Sequence, residues 1–412
     1  MEQHTDPREK FIAPSLFLGL AVVYNAILAI LNAHVMHVSQ GTVVMAEGII
    51  VLGACAYMAT KLKFLKNCQP IFLFQLVMLV IFLGVTLLSE YLNVKAFRDI
   101  FLITVFTLLG TLTSEKKIIK LFTILAAITL FFLLIEAYAT DLYAGLFNPA
   151  SYYGATRGLE NPEFNETGIF ANALSFEGRF SLGIFDVTHR LSSIFIEQVS
   201  LGGFAMILTM FTSLFWDDLG KKSRSLMLVT IFMIVATNNS RTALTLCLMF
   251  AAGHFIFPRL PRYMHLLYVP LLVFIVVGIL RVPECLDSYG RPFLISDDIS
   301  GRLGMAGCTL LSLKFENLFG FESINAKPFW DSGYVYFING QSLLGFVVFW
   351  LFASLLIKPD TPRTIRLNHY LNLIIFLNIL TSMSFFSIKV SAPVWFIVGY
   401  LFIQQQRQMK SR

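Results

Sequence analysis

Charge is what this chain lacks. Only 14% of its 412 residues are Asp, Glu, Lys or Arg, while 56% are hydrophobic. A soluble domain of this length needs far more polar surface, so the composition excludes an ordinary soluble enzyme. Cysteine is scarce too: five residues, with no CxxC pair and no Cys/His cluster of metal-ligand spacing. No P-loop, GxSxG elbow, HExxH or dinucleotide fingerprint occurs. Neither an internal repeat nor a low-complexity tract is present, and the short polar N-terminus runs into an apolar segment without a small-residue cleavage site. That reads as an uncleaved first span. A net charge of +6 invites a nucleic-acid reading. The basic residues form no stripe, however, and membrane anchoring accounts for them better.

What is present is apolar length. Mean hydropathy is +0.72, and 41 Phe suit contact with lipid. About twelve segments approach the ~20 residues needed to cross a bilayer. They lie near 12–31, 42–60, 70–88, 97–113, 118–135, 196–215, 224–238, 241–257, 264–280, 334–357, 368–387 and 391–405. The expectation is an all-α polytopic membrane protein in five parts: spans 1–5 (1–135), a large outer loop (136–195), spans 6–9 (196–280), a second large outer loop (281–333), and spans 10–12 with a tail (334–412). The short loops on one side hold nineteen Lys and Arg, against four (Lys95, Arg98, Arg241, Lys389) on the other. That bias places both termini in the cytoplasm and both large loops outside. A five–four–three division of spans is uneven for a transporter built from two similar halves.

Cys285 and Cys308 fall in the second outer loop, where an oxidising compartment lets thiols pair. Nothing else suggests a disulfide framework, so two unpaired thiols are expected.

Several loop residues carry potential chemistry. Glu197 follows Arg190 at the mouth of the sixth span. A carboxylate at that depth needs a partner, and Arg190 is the expected one, either as a structural clamp or as part of an active site. Arg302, after Ser300-Gly301, belongs to a segment in which Leu303, Ala306, Leu310 and Leu313 recur at helical spacing. That pattern predicts an amphipathic surface helix with Ser300 as its N-cap. Arg302 then serves either as an anion site beside free N–H groups or as a solvated headgroup contact. Asp331 stands at the mouth of the tenth span, as a general base or a helix cap. Arg241, in the tight turn Asn238-Asn239-Ser240-Arg241, serves a phosphate contact or an interhelical tie.

In order and spacing, these pieces form a pattern. They are Arg190-Leu191-Ser192-Ser193-Ile194-Phe195-Ile196-Glu197, Asn239-Ser240-Arg241-Thr242-Ala243-Leu244, Gly301-Arg302, Asn317-Leu318-Phe319-Gly320, Asp331-Ser332-Gly333-Tyr334 and Leu344-Gly345. Over roughly 185–357 the chain resembles the O-antigen ligase and polysaccharide polymerase superfamily of bacterial envelopes. The resemblance implies a multi-pass inner-membrane glycosyltransferase that faces the periplasm. Such enzymes move a glycan from undecaprenyl diphosphate to an acceptor sugar hydroxyl, with inversion and with no metal or cofactor. It implies that Arg190, Arg241 and Arg302 hold the diphosphate. Ligases of this group often carry His-Asn where this chain has Asp331-Ser332, which favours a polymerase. Asp331 is then the expected base and Glu197 the second choice. The expected partners are the lipid-linked glycan, the growing polysaccharide, the bilayer and a chain-length regulator, with no nucleic acid. The alternatives are an O-antigen ligase and, further off, a lipid-linked oligosaccharide flippase.

Overall fold

The computed structural model describes residues 12–157, 168–170, 173, 181–185, 189–275, 299–322 and 332–410. Among them the regular structure is helical throughout, without a strand. Six helices are long and apolar enough to cross a membrane: Ala13–His34, Gln40–Ala59, Gln69–Ser89, Glu115–Tyr138, Arg241–Arg259 and Gly333–Leu355.

The Gln69–Ser89 helix shows why these are membrane helices. Its inward stripe is Ile71, Phe74, Met78, Phe82 and Val85, at spacings of three and four. Its opposite face exposes Leu73, Leu76, Val80, Leu83 and Leu87. A helix that is apolar on both faces has no use for water on either.

Other expected spans are helical but fall outside that set. Gln198–Leu214 is apolar and has 17 residues. Lys221–Asn238 and Val94–Thr111 have 18 each. The ninth expected span is described only as far as Ile275. The eleventh is not one regular helix. Pro362–Leu373 passes through a π-helical turn, Ile374–Asn378, into Ile379–Thr381 and a 3-10 turn, Met383–Phe386.

The chain forms two compact units, each assembled from three separated stretches. The first is Met1–Phe64, Val105–Cys247 and Ile388–Tyr400; the second is Leu65–Thr104, Leu248–Ser387 and Leu401–Arg412. Within the first, glycine permits close helix packing. A Cβ on Gly110 would run into the Phe396 carbonyl, and one on Gly399 into the Thr107 carbonyl. In the same unit Asn32 Nδ2 donates to Ser151 Oγ at 3.1 Å, and Tyr400 donates to Glu115 at 2.8 Å.

Within the second unit, several contacts fix the start of the Gly333–Leu355 helix. Gly333 sits where a Cβ would meet Ile379 O at 2.7 Å. The Tyr334 hydroxyl donates to Ile375 O, in the π-helical turn, at 2.9 Å. Tyr336 donates to the buried Asp99 at 2.7 Å. At the far end of that unit, Gln405 Nε2 donates to Lys358 O at 2.7 Å and Lys410 to Asn67 at 3.0 Å.

The segment expected to be an amphipathic helix is a helix, Ile299–Ser312. Ser300 lies inside it rather than capping it, because the helix starts one residue earlier. Cys308 corrects the thiol expectation: it is disulfide-bonded, while Cys55, Cys68 and Cys247 form no disulfide. The fifth cysteine, Cys285, lies outside the described residues. The lack of a wider disulfide framework was no argument against a single bridge.

Candidate functional site

The site grows from the C-terminal end of the Glu115–Tyr138 helix. Glu136, almost completely buried, accepts from Ser192 N at 2.8 Å, Ser193 N at 2.6 Å and Ser192 Oγ at 3.1 Å. His189 Nε2 lies 3.3 Å from the same carboxylate. Tyr143 donates to Ser193 O at 2.7 Å, and Ser193 Oγ donates to Thr129 O at 2.7 Å. This clasp holds a backbone that would not hold itself. Ser193 and Ile196 have φ of 49° and 61°, costly conformations for residues with a Cβ. Sequence reasoning missed Glu136. The signal was there: an acid at the outer boundary of an apolar span needs partners, the same rule that singled out Glu197.

Arg190 follows directly on this clasp. Its Nε donates to Asn238 O at 2.8 Å, and its backbone N donates to Ala173 O at 2.8 Å. Asn238 Nδ2 in turn donates to Leu191 O at 3.0 Å and Gln198 O at 2.7 Å. Asn239 takes the left-handed conformation, φ 52°, and Arg241 opens the next helix. Gly202 lets the Gln198–Leu214 helix approach this turn, since its Cβ position is 3.1 Å from Asn238 Oδ1 and 3.3 Å from Ala243 Cβ. The motif at 190–197 and the turn at 238–241 are therefore one hydrogen-bonded assembly.

Arg190 was the partner expected for Glu197 from sequence, but the carboxylate pairs instead with Arg157 and Lys389. Arg157 Nη2 is 2.5 Å from its Oε1, and Lys389 Nζ is 3.4 Å from its Oε2. Ser200 Oγ donates to Oε2 at 2.8 Å. Arg190 is committed elsewhere, to the Asn238 carbonyl. Arg157 and Lys389 come from positions 40 residues before and 192 residues after Glu197, beyond the reach of any local pattern. Glu197 sits just outside the helix, at its N-cap. Burial pushes its carboxyl up, but Arg157 and then Lys389 outweigh that and hold it well below the usual carboxylate range. A carboxylate so paired is a poor proton acceptor while the pairing lasts.

In the second unit, Arg302 falls in the first turn of Ile299–Ser312. Asp331 lies outside the described residues. Its neighbour Ser332 is the N-cap of Gly333–Leu355, its Oγ accepting from Val335 N at 3.5 Å. Arg190, Glu197 and Arg241 thus share the first unit, and Arg302 belongs to the second. No known protein family, curated protein or solved structure matches this chain.

Proposed function

We propose that this chain is a polytopic glycosyltransferase of the bacterial inner membrane. It polymerises lipid-linked polysaccharide repeat units on the periplasmic face, with twelve spans and both termini inside. The observation that carries this reading is the assembly of Arg190, Asn238 and the Arg241 turn. Two motifs noted for their order in the sequence join through the Arg190–Asn238 hydrogen bond. An arginine held beside a helix start that carries a second arginine suits a diphosphate leaving group, whose negative charge grows in the transition state.

Topology has its own support. The described hydrogen bonds between distant loops join ends assigned to the same side: Asn32 with Ser151, Tyr336 with Asp99, Gln405 with Lys358. The bridged Cys308 suits an oxidising compartment.

In the proposed reaction Arg190, Arg241 and Arg302 bind the donor diphosphate. Asp331 takes the proton of the acceptor hydroxyl as the oxygen attacks the anomeric carbon, and the lipid diphosphate leaves. The test is purified full-length protein with lipid-linked repeat units. Polymer bearing several repeats on one lipid supports the reading. Transfer to lipid A core alone makes the protein a ligase, and movement of glycan without bond formation makes it a transporter. A periplasm-active reporter fused at Ser151 and at Asp298 tests topology, and silence at either position in a stable fusion overturns the twelve-span map.

A further inference from the structure

Arg157, Glu197 and Lys389 lie far apart in the sequence of the first unit and meet at the start of the Gln198–Leu214 helix. Exposure is graded across them. The side chain of Arg157 is 41% exposed, that of Glu197 21% and that of Lys389 5%. The open end of the triad is a guanidinium and the closed end an ammonium.

Two further features prepare this end for an anion. The Arg157 guanidinium lies 4.2 Å over the Tyr153 ring, which fixes its plane and leaves its N–H edge for oxygen. The Tyr153 hydroxyl itself is buried and has no hydrogen-bond partner. An unsatisfied buried hydroxyl is costly, and this one lies within electrostatic reach of both Glu197 and Arg157.

Glu197 spans the two cations with one oxygen on each. A phosphate group offers the same pair of anionic oxygens, with a third to take the phenol. Lys389 also feels the charge of Glu47, which accepts from the Tyr24 hydroxyl at 2.6 Å. We propose that Arg157 and Lys389 form a phosphate site whose resident counter-ion, Glu197, is displaced when a phosphate group enters from the Arg157 side. The source is either a lipid-linked diphosphate or a phospholipid headgroup. The site stands whether or not the protein is a polymerase.

The test is a binding titration of purified full-length protein in a maltoside detergent, with three probes: inorganic diphosphate, a polyprenyl diphosphate, and phosphatidylglycerol in mixed micelles. Arg157→Gln should weaken binding at least about tenfold. Glu197→Gln removes a competing charge and should tighten binding at least about tenfold, or ~1.4 kcal/mol. A purely structural clamp gives the opposite sign, because loss of Glu197 would release Arg157 and weaken any site built on it. Unchanged or weaker binding in Glu197→Gln, for all three probes, overturns the proposal. The probe whose affinity rises identifies the source. Glu197→Asp loosens the pair with little loss of polarity and should tighten binding by a smaller factor; if Glu197→Gln does not fold, no gain in Glu197→Asp overturns the proposal in its place. Tightened binding in a protein that makes no polymer would leave this site intact and remove the polymerase reading.

Discussion

The carboxylate of Glu136 accepts the backbone N–H of Ser193 at 2.6 Å, at a residue whose φ is 49°. The last turn of one membrane helix thereby fixes the backbone from which Arg190 and Glu197 extend. Removing the acid leaves two buried backbone donors, Ser192 N and Ser193 N, with nothing to bind.

Glu136→Ala should therefore cost about 3–5 kcal/mol, the range for breaking a buried charged network. It should show as a lowered melting temperature in detergent. Glu136→Gln keeps one acceptor oxygen and should cost less. A melting curve unchanged in Glu136→Ala would show that the 189–196 segment holds its shape without the clasp.

Arg190→Lys keeps the charge but loses the planar fork that places Nε–H on the Asn238 carbonyl. Losing a hydrogen bond from a charged group is worth about 1.5–3 kcal/mol. Polymer synthesis should fall at least about tenfold in the well-expressed protein, measured as product per unit of enzyme. Wild-type rates would remove Arg190 from the mechanism.

Gly399→Ala puts a methyl group into the Thr107 carbonyl. Backbone cannot swing aside as a side chain can, so the cost should reach about 3 kcal/mol, the upper end for overpacking. Gly84→Ala is the matched control, because its Cβ meets nothing within 4 Å. Equal melting temperatures for the two variants would contradict the close approach of these helices.

Cys308 is bridged, so in intact cells it should resist a membrane-impermeant maleimide until a reductant is added. Cys308→Ser should lower stability by about 2–4 kcal/mol. Labelling without reductant would show a free thiol.

Asp331→Asn tests the proposed base. Asn caps a helix about as well as Asp, so a capping role alone would leave the substitution nearly silent. The rate should fall at least ~10²-fold, the low end for general base catalysis, with diphosphate binding retained. Activity that survives Asp331→Asn but is lost in Glu197→Gln would transfer the role to Glu197.

The amino-acid sequence by itself determined the class of molecule. Scarce charge and long apolar runs leave helices as the way to satisfy the backbone within a bilayer, and the apolar spacing at 303–313 marked the Ile299–Ser312 helix. It also singled out charged residues at span mouths, because an Arg or Glu at that depth is costly without a partner. Partner choice was beyond it. Arg190 was the nearest cation to Glu197 along the chain, but Arg157 and Lys389 hold that carboxylate, and nothing near Glu136, the first residue of the large loop, shows that Ser192 and Ser193 fold onto it. Helix and span are set by local propensity and transfer free energy, which are properties of short segments. Which charge meets which is set by how separated stretches pack, and only the tertiary structure decides that.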